Sequence, residues 1–134
     1  MFRRHETTAR PIVAIIGREP CALDELHRYL RCCRAFPRSS TLLAHAAKLP
    51  ARKGVLVLFG DHFTPAEVGT TLREVYTAEV VAAVLMTQRP AAFADLMHDR
   101  KIGPTLLLLQ TPVSPWIILA TVRACFDAGA APLA

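Results

Sequence analysis

Gly54-Val55-Leu56-Val57-Leu58-Phe59-Gly60-Asp61-His62-Phe63-Thr64-Pro65 is the most telling segment of this 134-residue chain. Residues 54–59 form an apolar run with no polar alternation, as a strand covered on both faces requires. Asp61 to Thr64 read as a loop that carries a carboxylate. Pro65 then opens a helix to about Tyr76, with Thr64 placed to cap it. A buried strand, a polar loop and a capped helix make one repeat of a strand–helix alternation.

The same alternation extends in both directions. Pro11 to Gly17 (PIVAIIG) is a second continuous apolar run. Pro20 opens a helix to about Arg34, with Leu23, Leu26, Leu30 and Cys33 at helical spacing. Asp24 and Glu25 are expected in its first turn and arginines in its last, as the helix dipole favours. Ala35 to Arg38 reads as a short strand, after which Ser39 or Ser40 caps a helix through about Leu49 that ends at Pro50. Glu79 to Met86 is another apolar strand. Pro90 to Asp99 is a short helix before the Gly103-Pro104 break, and Thr105 to Leu109 is the last strand. Ser114 caps a final helix that starts at Pro115 and runs to about Asp127. Five strands thus alternate with five helices. Strands lacking polar alternation need both faces covered, so the sheet is parallel with helices on each side. Functional groups in such folds gather in the loops at the carboxyl ends of the strands. Those loops are Gly17-Arg18-Glu19, Gly60-Asp61-His62, Thr87-Gln88-Arg89 and Gln110-Thr111-Pro112.

Composition bounds the rest. The chain suits one domain, here residues 11–127, with an N-terminal arm (1–10) and a flexible tail (128–134). At this size it can bury roughly two thirds of its unfolded surface without disulfides or metal. Apolar residues at 52% and charged residues at 20% exclude a disordered chain, a coiled coil and a collagen-like fibre. No apolar run approaches the ~20 residues of a membrane span, and MFRRHETTAR lacks the apolar centre of a signal peptide. A soluble cytoplasmic protein is expected. Cys21, Cys32, Cys33 and Cys125 form no CxxC pair, so free thiols are expected and a zinc site is not. Residues 1–53 carry 11 basic and 4 acidic side chains, whereas residues 54–134 carry 5 and 7. Arg28, Arg31, Arg34, Arg38, Lys48, Arg52 and Lys53 could face an acidic partner. No aromatic residues interleave with them, so direct nucleic-acid binding is not expected.

Taken together, these loops resemble the receiver domain of bacterial two-component response regulators, from about Pro11 to Asp127. Asp61 matches the family's phosphoacceptor aspartate at the end of the third strand. Pro65 and Gly69 match its proline four residues on and its glycine eight residues on. Thr87 matches the hydroxyl residue that contacts the phosphoryl group, and Pro112 matches the proline after the family's lysine. Ile15-Ile16-Gly17-Arg18-Glu19-Pro20 matches the first-strand motif. The resemblance implies a flavodoxin-like three-layer αβα sandwich with strand order 2-1-3-4-5.

The departures from the family are as specific as the matches. The family's Mg²⁺-binding acidic pair is replaced by Gly17 and Arg18, with Glu19 one place too late. The position of its lysine is held by Thr111, or by Gln110 if the loop shifts by one. Mg²⁺ needs oxygen ligands and neutralises a transferring phosphoryl group, so the resemblance is to a degenerate member, a pseudo-receiver. Arg18 is expected to reach Asp61 and fill the site with an ion pair. His62 would lie in this former active site. No catalytic residue, cofactor or metal is expected.

The last helix, Trp116 to Phe126, is apolar nearly all round, where a helix covering a sheet should be polar outside. Trp116, Ile117, Ala120 and Arg123 are expected to form a protein interface, with a homodimer the leading form. Phe93, Leu96 and Met97 could extend it. The expected function is a signalling adaptor that acts by phosphorylation-independent contact. The alternatives are the N-terminal regulatory domain of a longer transcriptional regulator and an atypical receiver phosphorylated at Asp61. A flavodoxin-like enzyme is disfavoured because the first loop has no glycine-rich phosphate cradle.

Overall fold

A computed structural model describes residues 10–48, 54–76 and 79–130. Its strands are β1 (Ile12–Ile16), β2 (Phe36–Ser40), β3 (Gly54–Phe59), β4 (Val80–Thr87) and β5 (Thr105–Gln110). They form a single five-stranded sheet in the order β2-β1-β3-β4-β5, and every neighbouring pair is parallel. The α/β sandwich and strand order expected from the sequence are therefore present.

Both faces of the sheet are covered, which is why its central strands lack polar alternation. On one face α1 (Pro20–Cys32) and α3 (Pro115–Ala130) bury Leu23, Leu26, Leu30, Ile118, Leu119 and Val122 against Val13, Ile15, Val55 and Val57. On the other face α2 (Pro65–Arg73) brings Val68 and Leu72 onto Ala14, Ile16, Leu56 and Leu58, and Phe93 and Leu96 join them. Each fully buried Leu, Ile or Phe stabilises the fold by about 1.5–3 kcal/mol.

Of the five expected helices, three are α-helices. The helix expected from Ser39 or Ser40 to Leu49 is a short 3-10 turn, Leu43–Ala47. Ser39 and Ser40 instead belong to β2. The Ser40 hydroxyl accepts from the Leu42 N–H at 3.0 Å and lies 2.7 Å from His45 Nδ1, which fixes a tight corner rather than a helix cap. The expected helix end at Pro50, together with Arg52 and Lys53, lies outside the described residues. Pro90–His98 is also 3-10 in form. Asp24 and Glu25 fall beyond the first turn of α1, because Pro20 is its first residue and Glu19 its N-cap; Arg31 lies in its last turn.

Two local devices place the site. Thr64 caps α2 in a reciprocal box: its hydroxyl accepts from the Glu67 N–H, and Glu67 accepts from the Thr64 N–H. Gly69 lets α2 approach the Pro90–His98 segment, since a Cβ there would lie 3.0 Å from Leu96 Cδ2.

Candidate functional site

The site lies at the carboxyl ends of β1, β3, β4 and β5. Asp61 sits on the 3-10 turn Gly60–His62 that follows β3. Thr87, the last residue of β4, is fully buried. Its hydroxyl donates to Asp61 Oδ1 at 2.5 Å and accepts from the Arg89 N–H at 2.9 Å. The Gln88 N–H donates to Asp61 Oδ2 at 2.7 Å. Both carboxyl oxygens of Asp61 are thus held by the β4 end. Desolvation alone would raise the Asp61 pKa. The Thr87 and Gln88 hydrogen bonds, with the charge of Arg89, outweigh it and hold the carboxyl below its ordinary value.

The β1 end is filled by His62. Its Nδ1 accepts from the Arg18 N–H at 2.9 Å, so the neutral ring carries its proton on Nε2. The ring stacks on Phe59, with centroids 5.1 Å apart and planes 10° from parallel. A Cβ at Gly17 would lie 2.8 Å from Phe59 Cδ2 and 3.0 Å from His62 Nδ1. Gly17 is therefore the residue that admits this ring pair, and any side chain there meets it. His62 Nε2 lies 4.0 Å from Glu19 Oε1, at the edge of ion-pair range, and that glutamate is 74% exposed.

Arg18 does not pair with Asp61. Its guanidinium lies 3.6 Å from Glu67 Oε2 and 5.1 Å from the centre of the Phe63 ring. The cap geometry explains the choice. The capping box turns the Glu67 carboxylate back toward Thr64, beside Phe63, and offers Arg18 a cation–π face and a counter-charge together. The hydrogen bond from the Thr64 N–H, followed by the Thr64 hydroxyl and Arg18, holds the Glu67 pKa down against desolvation.

At the fourth loop the Thr111 N–H donates to the Thr87 carbonyl at 3.0 Å, and the Thr111–Pro112 peptide is cis. Thr111 and Pro112 stand beside Thr87 but offer no cationic group. Asp61, His62, Thr87, Arg18, Glu19, Thr111 and Pro112 do gather at one end of the sheet, although not through the ion pair expected from the sequence.

A divalent cation of the Mg²⁺ type requires several oxygen ligands in near-octahedral geometry. Here Gly17 supplies no side chain and Arg18 supplies a cation, which leaves Asp61 without the neighbouring carboxylates that would complete a set of oxygen ligands. These residues do not fit the ion. Among the described residues no three His, Cys, Asp or Glu side chains are grouped as metal ligands.

No protein-family model matches the chain, and no curated protein sequence matches it. Solved structures do. A response regulator from Colwellia psychrerythraea superposes with a TM-score of 0.64 at 11% identity, over 90% of this chain and 99% of that one. A structure described as adenylate cyclase from Rhodopirellula baltica gives 0.65 at 15% identity, covering 90% and 92%. A beryllofluoride-activated NtrC4 receiver domain dimer gives 0.58 at 16% identity, covering 89% and 98%. The chain has the receiver fold. In that fold Asp61 lies on the turn directly after β3, and Thr87 is the last residue of β4.

The residues that sequence reasoning missed are those acting through the main chain. The Gln88 and Arg89 N–H groups hold Asp61 and Thr87, and no side-chain pattern announces them. His62 had a readable signal: a glycine at the β1 end, where the resemblance calls for an acid, leaves room for a ring. On the last helix Trp116 is 62% exposed, Ile117 is half-buried and Ala120 is exposed. Arg123, expected at the interface, donates to the Cys33 carbonyl at 2.8 Å and ties α3 to the end of α1. Among the described residues no helix is long and apolar enough to cross a membrane.

Proposed function

We propose that this chain is a pseudo-receiver: a non-enzymatic cytoplasmic signalling domain that works through protein contact and without phosphoryl transfer. One observation carries the reading. The His62 ring, seated over Gly17, fills the β1 end, where an acidic side chain would have to stand to bring a cation to Asp61. Among the described residues no lysine stands at the β5 end to pair with a phosphoryl group on Asp61, and Arg18 is turned to Glu67. The contact surface is the apolar side formed by β5 and the start of α3, with Trp116, Ile117 and Ala120. The receiver-domain dimer among the structural neighbours supports a contact of this general kind.

Intact-mass spectrometry after incubation with Mg²⁺ and acetyl phosphate tests the reading. The expected result is an unchanged mass. A single phosphoryl adduct that disappears in Asp61→Ala overturns it and makes the chain a working receiver.

A further inference from the structure

The two edges of the sheet are built differently. In a parallel pair, the N–H and C=O of one residue point to the same side, and alternate residues point to opposite sides. At β2 the Phe36 N–H donates to the Pro11 carbonyl, and the Ser40 carbonyl accepts from the Gly17 N–H. Residues 36, 38 and 40 therefore face β1, leaving Pro37 and Ser39 in the outward row. Pro37 has no N–H, so this edge cannot offer a complete ladder to another strand. Arg10 also lies over the outer ring of Phe36, 5.1 Å from its centre.

At β5 the Thr111 N–H points to β4. Counting back along the unbroken β4–β5 register, Leu109, Leu107 and Thr105 face β4, and Leu106, Leu108 and Gln110 face outward. No residue in this row is a proline or carries a charge, and among the described residues none is hydrogen-bonded to it. The strand sequence is Thr-Leu-Leu-Leu-Leu-Gln, and all four leucines are only half-buried. The helical cover explains this. α3 packs over β4 and β3, leaving an open cleft of about 390 Å³ along Val81, Leu107, Ala124 and Cys125.

We propose that two copies of this chain join edge to edge through β5, antiparallel, into one continuous sheet. The proposal rests on the protein-contact reading above and names its partner. Three features select a second copy. The edge is uncharged, so it does not repel itself. Each molecule has one open edge and one blocked by Pro37, so pairing closes as a dimer instead of growing into a fibre. A two-fold axis normal to the sheet keeps the two faces aligned only where residues of like parity meet. An axis through Leu108 satisfies that rule. It sets Leu106 opposite the partner subunit's Gln110 and pairs every outward group, in about six main-chain hydrogen bonds. A stable interface needs about 800 Å² from each partner. Trp116 and Met97, 62% and 42% exposed on elements that cover the two faces of the sheet, extend the strand edge toward that area.

Sedimentation velocity over a dilution series, with amide exchange followed by NMR, tests this. A dimer is expected in which exchange at Leu106, Leu108 and Gln110 slows at least about tenfold relative to the dilute protein. Leu107 and Leu109, already bonded to β4, should not respond to dilution. Gln110→Pro removes an outward N–H at the exposed end of the strand and should weaken association by about tenfold. A dimer whose three outward amides exchange freely overturns edge pairing and leaves the pseudo-receiver reading standing. A monomer at every concentration also overturns it. The pseudo-receiver reading falls separately, by a phosphoryl adduct on Asp61.

Discussion

The Asp61 corner and the β5 side lie on one sheet and meet their polar and apolar requirements in opposite ways. At the corner every strong group is answered from within. Asp61 is held by Thr87 and Gln88, His62 accepts from the Arg18 N–H, and Arg18 lies between Glu67 and Phe63. At β5 the outward main chain has no partner among the described residues, and four leucines are half-covered. A self-satisfied polar network anchored on the buried Thr87 is costly to disturb there, because a buried hydroxyl or amide left without its partner is not rehydrated. An exposed apolar surface costs the fold little to alter. The corner should therefore respond to substitution through stability, and the β5 side through association.

The largest effect is expected at Gly17. Gly17→Asp restores an acid at the β1 end but drives its Cβ into Phe59 and His62. Overpacking of this kind should cost about 2–3 kcal/mol, or a melting temperature lower by about 10 °C. Adding His62→Ala should recover part of the loss, because the ring is removed while Phe59 stays. A Gly17→Asp protein that melts with the parent would show that the ring does not fill this space, and the contrast between the two regions would weaken.

Thr87 comes next. Thr87→Val keeps the shape and removes the hydroxyl that serves Asp61 and the Arg89 N–H. The expected cost is about 1–2 kcal/mol by denaturant unfolding. The Asp61 carboxyl should also titrate higher, as read by carbon NMR of the side chain. The sign of the pH dependence follows from the lowered pKa. A carboxyl whose folded pKa lies below its unfolded value near 3.9 stabilises the fold above that value. The contribution is lost as pH falls through the folded pKa. Asp61→Asn cannot accept from both Thr87 and Gln88, so it should be less stable than the parent at neutral pH, with the deficit closing below about pH 4. A deficit that persists unchanged into acid would assign the loss to packing instead of charge.

The fold was legible where burial dictates composition. Val55 to Leu58 and Val13 to Ile16 are fully buried, and their unbroken apolar runs state as much. Segment type was legible at capped ends, as at Thr64. It was not legible at Ser39-Ser40, where a serine that can cap a helix equally serves a strand end and a tight corner. In the site, Asp61 and Thr87 could be placed because strand ends fix them. The Arg18 partner could not, because a long side chain chooses among counter-charges that only the packing brings near. Glu67 reaches it through a cap, a contact set by backbone geometry.

The smallest effect on the fold is expected at Trp116, and it bears most directly on the β5 side. The side chain is 62% exposed on the first turn of α3, so Trp116→Glu removes little buried area and adds an acid where the helix dipole favours one. Its unfolding free energy should stay within about 0.5 kcal/mol of the parent. Light scattering should nevertheless show weaker self-association, because a carboxylate at the margin of an apolar contact must be desolvated. Lost stability would mean that Trp116 belongs to the core of the monomer. Unchanged association with unchanged stability would confine the contact to the β5 edge itself and leave α3 outside it.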